Sequence, residues 1–302
     1  MRKVYKIVFL LGFAIISTNI FGQYQKVKSN NLDIYYRIFG DGQPLLIIGG
    51  GPGDNSNRYV SLCELLSDSI QCILPDQRGT GKSVPQIYDS TTIDLQLTID
   101  DFEVIRKELG FEKWNILGFS YGGYIASYYA FHYPESINSI ILLESMGLNT
   151  NAFGYFSDNI QSRLQDVDIK KIQYWSDSER LTEDKHKAIV EIIKAKMPGY
   201  FYDREKALLY QETMKESDFS FEIGKFIWPD IINFNILEKE NNFLKPVLIL
   251  QGRQDPLGEG VAITLSKYYK KSKLIFIEKA GHYSWIEQPE AVKNNIETFI
   301  NN

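Results

Sequence analysis

Apolar residues in this chain gather in short unbroken runs. Residues 45–48, 71–74, 114–119, 140–143 and 247–250 each read as a strand covered on both faces, which is the pattern of a parallel sheet between two layers of helices. Helical segments at about 58–67, 92–108 and 121–133 alternate with them, as right-handed crossovers require. Residues 24–38 alternate apolar and polar in the manner of two opening strands, and Asp41-Gly42 supplies a turn before the first buried strand. From about Met146 to Phe243 the strand signal stops. Helical periodicity takes over, clearest at 183–197 and 204–215, with scattered aromatics such as Tyr174, Trp175, Tyr200, Phe201, Tyr202, Phe226 and Trp228 that suit a small hydrophobic core. The sheet resumes at 246–250 and is followed by a helix at 261–269, a strand at 273–277 and a closing helix at 288–300. The expected organisation is a mostly parallel, eight-stranded-type sheet flanked by helices. Residues 23–145 and 244–302 would form this core, and 146–243 a helical lid inserted between two sheet strands.

One run stops at a serine set between glycines. Trp114-Asn115-Ile116-Leu117-Gly118-Phe119-Ser120-Tyr121-Gly122-Gly123 passes from strand to helix through Gly118-x-Ser120-x-Gly122, the sequence form of a nucleophile elbow. Such a turn holds the serine in a strained backbone conformation with its hydroxyl exposed. Glycine on both sides removes Cβ atoms that would strike the neighbouring strand or helix. Gly123, Ala126 and Ser127 let the helix lie close to the sheet until Pro134 stops it.

A serine hydroxyl is a weak nucleophile at neutral pH and needs a base within hydrogen-bond reach, itself oriented by an acid. The chain has 3 histidines. His132 lies about three turns along the same helix as Ser120, too far along a rigid rod to fold back. His186 falls among lysines in a lid helix. His282, in Lys279-Ala280-Gly281-His282-Tyr283, follows the last strand on a loop able to reach over the sheet. Gly252-Arg253-Gln254-Asp255-Pro256, at the end of the preceding strand, supplies the acid Asp255. Two backbone amides, those of Tyr121 and of Gly51 in the glycine loop, are the expected oxyanion donors.

Composition limits the remaining choices. With 302 residues, 44% hydrophobic and 24% charged, the chain suits one large α/β domain carrying an insertion. A formal net charge of -5 and a pI near 5.4 offer nothing to nucleic acid or to an acidic membrane surface. No cofactor or metal is expected. The loop Asp76-Gln77-Arg78-Gly79-Thr80-Gly81-Lys82-Ser83 ends like a phosphate-binding loop but holds Asp76 where that motif needs its first glycine. The dinucleotide fingerprint, counted from Gly49 or from Gly51, runs into Asp54 or Ser56. At the N-terminus, Arg2, Lys3 and Lys6 precede the apolar run Ile7 to Ile16 and the polar Ser17-Thr18-Asn19. Residues 1–22 read as a secretory signal cleaved after Gly22, which implies a secreted or periplasmic protein with no stable membrane span after cleavage. Neither cysteine lies near that junction for lipid attachment. Cys63 and Cys72 fit a disulfide or two buried thiols equally well.

Taken together, Gly49-Gly50-Gly51-Pro52-Gly53, the Asp76 to Ser83 loop, Gly118-Phe119-Ser120-Tyr121-Gly122-Gly123, Gly252-Arg253-Gln254-Asp255 and Gly281-His282 resemble the proline iminopeptidase (prolyl aminopeptidase) branch of the α/β-hydrolase family. The chain order Ser120, Asp255, His282 is that family's order. The resemblance implies the α/β-hydrolase fold and release of an N-terminal residue, typically proline, from a short peptide through an acyl-enzyme. Fold and triad do not fix the leaving group, so a carboxylesterase or other small-molecule acyl hydrolase is the alternative, and a ligand-sensing homologue a further one. Two positions depart from the family pattern. Gly49 stands where the glycine loop usually begins with histidine, and the lid has no Trp-Glu pair to hold the substrate amine. An exopeptidase must pair that ammonium with a carboxylate. Glu144, at a strand end, and Glu212, in the lid, are the acids proposed for it, with Gly50 as a further substrate contact.

Overall fold

The computed structural model describes residues 22–301, so of the segment read as a signal only Gly22 is included. The chain opens with the antiparallel hairpin β1 (Tyr24–Ser29) and β2 (Leu32–Phe39), turned at Asn30 and Asn31, whose φ of 43° and 63° asparagine tolerates. There follow β3 (Gln43–Ile48), α1 (Val60–Leu66), β4 (Ile70–Pro75), α2 (Leu95–Glu108), β5 (Trp114–Phe119), α3 (Tyr121–His132) and β6 (Ile137–Leu143). Helices α4 (Phe153–Gln161), α5 (Asp166–Trp175), α6 (Ser178–Glu183), α7 (Lys185–Lys196), α8 (Arg204–Thr213) and α9 (Gly224–Asn233) separate β6 from β7 (Val247–Gly252). The chain ends with α10 (Glu259–Tyr268), β8 (Ser272–Ile277), α11 (Ser284–Glu287) and α12 (Pro289–Asn301).

The 8-stranded sheet has the order β1-β2-β4-β3-β5-β6-β7-β8. β2 runs antiparallel to β4, and the strands from β4 to β8 are parallel. The chain starts the parallel part at β3, steps to β4 on one side, then returns to place β5 on the other. Loops leaving β3 and β5 therefore diverge at a crevice beyond their C-terminal ends, where open α/β sheets bind ligands. Ile48 pairs with Gly118 at that edge, so the glycine loop and the serine turn start side by side.

Alternation along each buried strand feeds two cores. Leu46, Ile48 and Ile116 face the layer of α2 and α3, whereas Leu45, Ile47 and Leu117 face that of α1 and α12. All six are fully buried, as their unbroken apolar runs require. Two helices begin later than periodicity suggests, each for a local reason. Asp94 accepts the Leu97 N–H at 2.6 Å and so caps α2 at Leu95. Asn55 caps a 3₁₀ turn, Ser56–Tyr59, that precedes α1.

The Asp76 to Ser83 loop is pinned by buried charge. Arg78 forks onto Asp101 of α2 through Nε at 2.9 Å and Nη2 at 2.5 Å, with both side chains 2% exposed. Burial pushes the Asp101 carboxyl up to about 6 although Arg78 pulls it down. Asp76 accepts the Lys82 N–H at 2.7 Å and the Ser56 hydroxyl. Cys63 and Cys72 are buried and unbridged, and burial raises the Cys63 thiol well above its ordinary value. Among the described residues, no helix is long and apolar enough to cross a membrane.

Candidate active site

β5 ends at Phe119 and α3 begins at Tyr121, so Ser120 alone makes the turn, at φ 53° and ψ -119°. A non-glycine residue there stores strain and persists only where its surroundings hold it. Here the Ser120 N–H donates to the Leu143 carbonyl at 3.0 Å, and its carbonyl accepts from Gly123 N at 2.9 Å and Met146 N at 3.0 Å. Glycine is obligatory on both sides. A Cβ on Gly118 would overlap the Gly122 carbonyl, and one on Gly122 would overlap that of Ile48.

Three side chains from distant parts of the chain meet at this turn. His282 Nε2 lies 2.9 Å from Ser120 Oγ, and His282 Nδ1 lies 3.0 and 3.1 Å from the two Asp255 oxygens. Asp255 Oδ1 also accepts the Leu257 N–H at 2.9 Å, and Oδ2 accepts from Gln251 Nε2 at 2.7 Å. A carboxylate surrounded by donors assigns the imidazole proton to Nδ1 and turns the Nε2 lone pair to the serine. The histidine loop is fixed from both ends. His282 N donates to the Tyr200 carbonyl at 2.7 Å, and Gly281 N donates to Glu287 Oε2 at 2.6 Å. The other histidines stay away: His132 packs against Tyr128 and Phe234, and His186 Nε2 meets the Glu216 carbonyl at 2.9 Å.

A cavity of about 260 Å³ opens above Ser120. Gly50, Gly51 and Tyr121 line it together with Ser120 and His282. Gly51 has φ +70°, and a Cβ on Gly50 would stand 2.9 Å from the Ser120 Cβ, so the loop approaches the serine more closely than any other residue would allow. Phe153, Phe156, Tyr200, Phe219 and Trp228, all from the segment between β6 and β7, form an aromatic wall. Of the aromatics noted in the sequence, Tyr200 and Trp228 reach this wall, Phe201 is buried against Tyr283, and Tyr174 and Tyr202 are exposed.

Residues 43–289 match the alpha/beta hydrolase fold family. The chain belongs to that family. It is 26% identical to a proline iminopeptidase of Saccharolobus solfataricus, over 98% of this chain and 96% of that protein. It is 25% identical to epoxide hydrolase 1 of Caenorhabditis elegans, over 97% of this chain and 77% of that one. An esterase of Exiguobacterium antarcticum superposes with a TM-score of 0.69 at 17% identity, covering 93% of this chain and 100% of that one, a likeness of fold.

The charged groups of this α/β-hydrolase lie differently from the sequence expectation. Ser120, Asp255, His282, Gly50, Gly51 and Tyr121 surround one site, but Glu144 and Glu212 are absent from the cavity lining. Glu144 stands at the level of the strand ends, yet its φ of 41° turns the side chain under β7, where Oε1 accepts the Gly252 N–H at 3.2 Å. Complete burial, with Asp255 nearby, raises its carboxyl well above the usual range. Glu212 is an exposed residue of α8. The carboxylate that does line the cavity is Asp54. Its Oδ2 accepts from Tyr59 Oη at 2.9 Å and from Arg58 Nη1, while Oδ1 lies against Gly51. Burial pushes Asp54 up to about 6, and Arg58 pulls it back. The only hint in the sequence was the four-residue spacing of Asp54 and Arg58 in an otherwise polar loop.

Proposed function

We propose that this α/β-hydrolase is a serine aminopeptidase that releases an N-terminal residue, proline or another small apolar one, from short peptides. One observation carries the proposal: the Ser120–His282–Asp255 line opens on a cavity of about 260 Å³, below the roughly 300–1,000 Å³ of ordinary small-molecule sites. The full-length similarity to a proline iminopeptidase supports it. His282 Nε2 takes the hydroxyl proton as Ser120 Oγ attacks the carbonyl of the first residue, and the amides of Tyr121 and Gly51 receive the oxyanion. His282 then protonates the departing amine, leaving an acyl-serine, and water repeats the sequence to free the amino acid and restore Ser120. Asp255 orients the imidazole and stabilises it when charged. The substrate ammonium pairs with Asp54, and the aromatic wall takes the side chain or pyrrolidine ring. Residues 146–243 act as a lid that restricts entry to small substrates, and an N-terminal signal at 1–22 sends the protein to a secreted or periplasmic site.

The Asp54–Arg58 pair supports a second function. A carboxylate already partnered by an arginine attracts an ammonium less than a bare one does, which suits a neutral acyl substrate and an esterase activity. Proline and alanine arylamides with free and with acetylated amines, assayed beside a short-chain ester and with Ser120→Ala as control, separate the two. Turnover of free-amine arylamides supports the aminopeptidase. Turnover of the ester alone sinks it.

A further inference from the structure

The catalytic cavity is not the only depression that Arg58 borders. A larger groove, about 690 Å³, runs between α1 and α8, floored by Val60, Leu209, Met214 and Ile286 and edged by Lys206 and Lys215. Arg58 is the residue common to the two linings. Its Nη2 donates to Tyr283 Oη on the cavity side at 2.9 Å and to Tyr210 Oη on the groove side at 3.4 Å. The guanidinium and these two phenols are thus the partition between the spaces.

Two features mark the partition as a passage. The Arg58 side chain is 6% exposed, yet its Nε has no hydrogen-bond partner among the described residues. A buried N–H left unpaired is costly, and a carbonyl oxygen threaded past it would satisfy it. The direction also fits. His282 must protonate the departing amine, so the leaving side of the scissile bond faces His282 Nε2, and the next residue, Tyr283, is the one that holds Arg58.

We propose that the groove between α1 and α8 is the subsite for the leaving portion of a peptide substrate, entered past Arg58; this rests on the aminopeptidase function above. The apolar floor takes the side chains that follow the scissile bond. Leu209, 71% exposed, is covered when they bind. The lining carries Arg58, Lys206 and Lys215 against Glu64 and Asp218, and Asp218 is engaged by the Lys215 N–H at 2.8 Å. Lys206 Nζ is engaged by the Glu287 carbonyl at 2.8 Å, so Lys215 is placed to meet a free C-terminal carboxylate.

A ladder of substrates tests this: Ala-Leu, Ala-Leu-Ala and Ala-Leu-Ala-Ala, each also made with an ester in place of the scissile amide, and each with a free or an acetylated amine. The expected result is a rise of about tenfold in kcat/KM from the shortest to the longest. In Leu209→Trp and in Lys215→Glu the ratio of longest to shortest falls to about one; both positions are exposed, so folding is not at risk. A flat ladder with a requirement for the free amine would overturn the groove and keep the aminopeptidase. A rising ladder seen only with the esters, whatever the amine, would do the reverse. No turnover in any series would overturn both, and a slope unchanged by either substitution would overturn the groove.

Discussion

Asparagine at Asp255 removes a charge and one acceptor, and the surroundings decide which matters. The Leu257 N–H, 2.9 Å from Oδ1, belongs to the backbone and cannot turn round. The asparagine oxygen therefore takes the Oδ1 place, where it still accepts from His282 Nδ1 at 3.0 Å. Its nitrogen takes the Oδ2 place, 2.7 Å from Gln251 Nε2, and two donors face each other. Gln251 relieves the clash by turning its amide, because its buried Oε1 has no partner to lose. The imidazole keeps its tautomer, and the loss is that of a charge-assisted hydrogen bond relative to a neutral one, about 2 kcal/mol. That predicts a fall in kcat of about thirtyfold for Asp255→Asn. Adding Gln251→Leu removes the oxygen that holds the asparagine nitrogen. The asparagine nitrogen, 3.1 Å from His282 Nδ1, is then left with that ring nitrogen as its acceptor, the proton moves to Nε2, and the fall approaches the ~10⁴ seen when a triad histidine is held in the wrong tautomer. The assay is kcat on a chromogenic substrate across the plateau of the pH profile. A single variant within threefold of wild type, or a double variant no worse than the single, would refute the reasoning.

Further outcomes follow from the buried charges and thiols. Arg78→Met leaves Asp101 buried without its cation and should cost about 3–5 kcal/mol in urea unfolding, whereas replacing an exposed lysine, as in Lys170→Met, should change stability by less than about 0.5 kcal/mol. Asp54 should set a pH dependence in amine recognition. Its carboxyl titrates at about 6, so the ratio of kcat/KM for a free-amine arylamide to that for a blocked ester should rise as pH increases through that value, because ionisation supplies the charge that attracts the ammonium; Asp54→Asn should flatten the ratio. Native protein should show no fast-reacting thiol towards a disulfide reagent, and two after denaturation without reductant, since Cys63 and Cys72 are buried and unbridged; none after denaturation would mean a disulfide.

Sequence showed the sheet, its core strands and the residues that meet at Ser120, because each carries a local signature. Gly118 and Gly122 flank the serine for steric reasons that act within one turn, and Asp255 and His282 each follow a strand. Asp54 and Arg58 escaped because their burial is non-local. Tyr210, Phe219 and Tyr283 enclose Arg58, and they lie more than a hundred positions away along the chain, so Asp54 to Arg58 looked like an ordinary polar loop. Glu144 failed in the opposite way. Its level in the sheet followed from the end of β6, but the positive φ that turns it beneath β7 leaves no mark on an isolated glutamate. The segment between β6 and β7 was legible as helical over α7 and α8, whereas α4, α5, α6 and α9 are short helices whose bounds packing defines.

Whether Ser120 is an activated nucleophile is tested most directly by covalent capture. The protein, treated with a fluorophosphonate and digested, would be analysed by mass spectrometry beside His282→Ala and Ser120→Ala. A triad that works as its geometry suggests gives one adduct, on the peptide containing Ser120, formed rapidly in the wild type, at least a hundredfold more slowly without His282, and not at all without Ser120. An adduct on another residue, or equal labelling with and without His282, would contradict it.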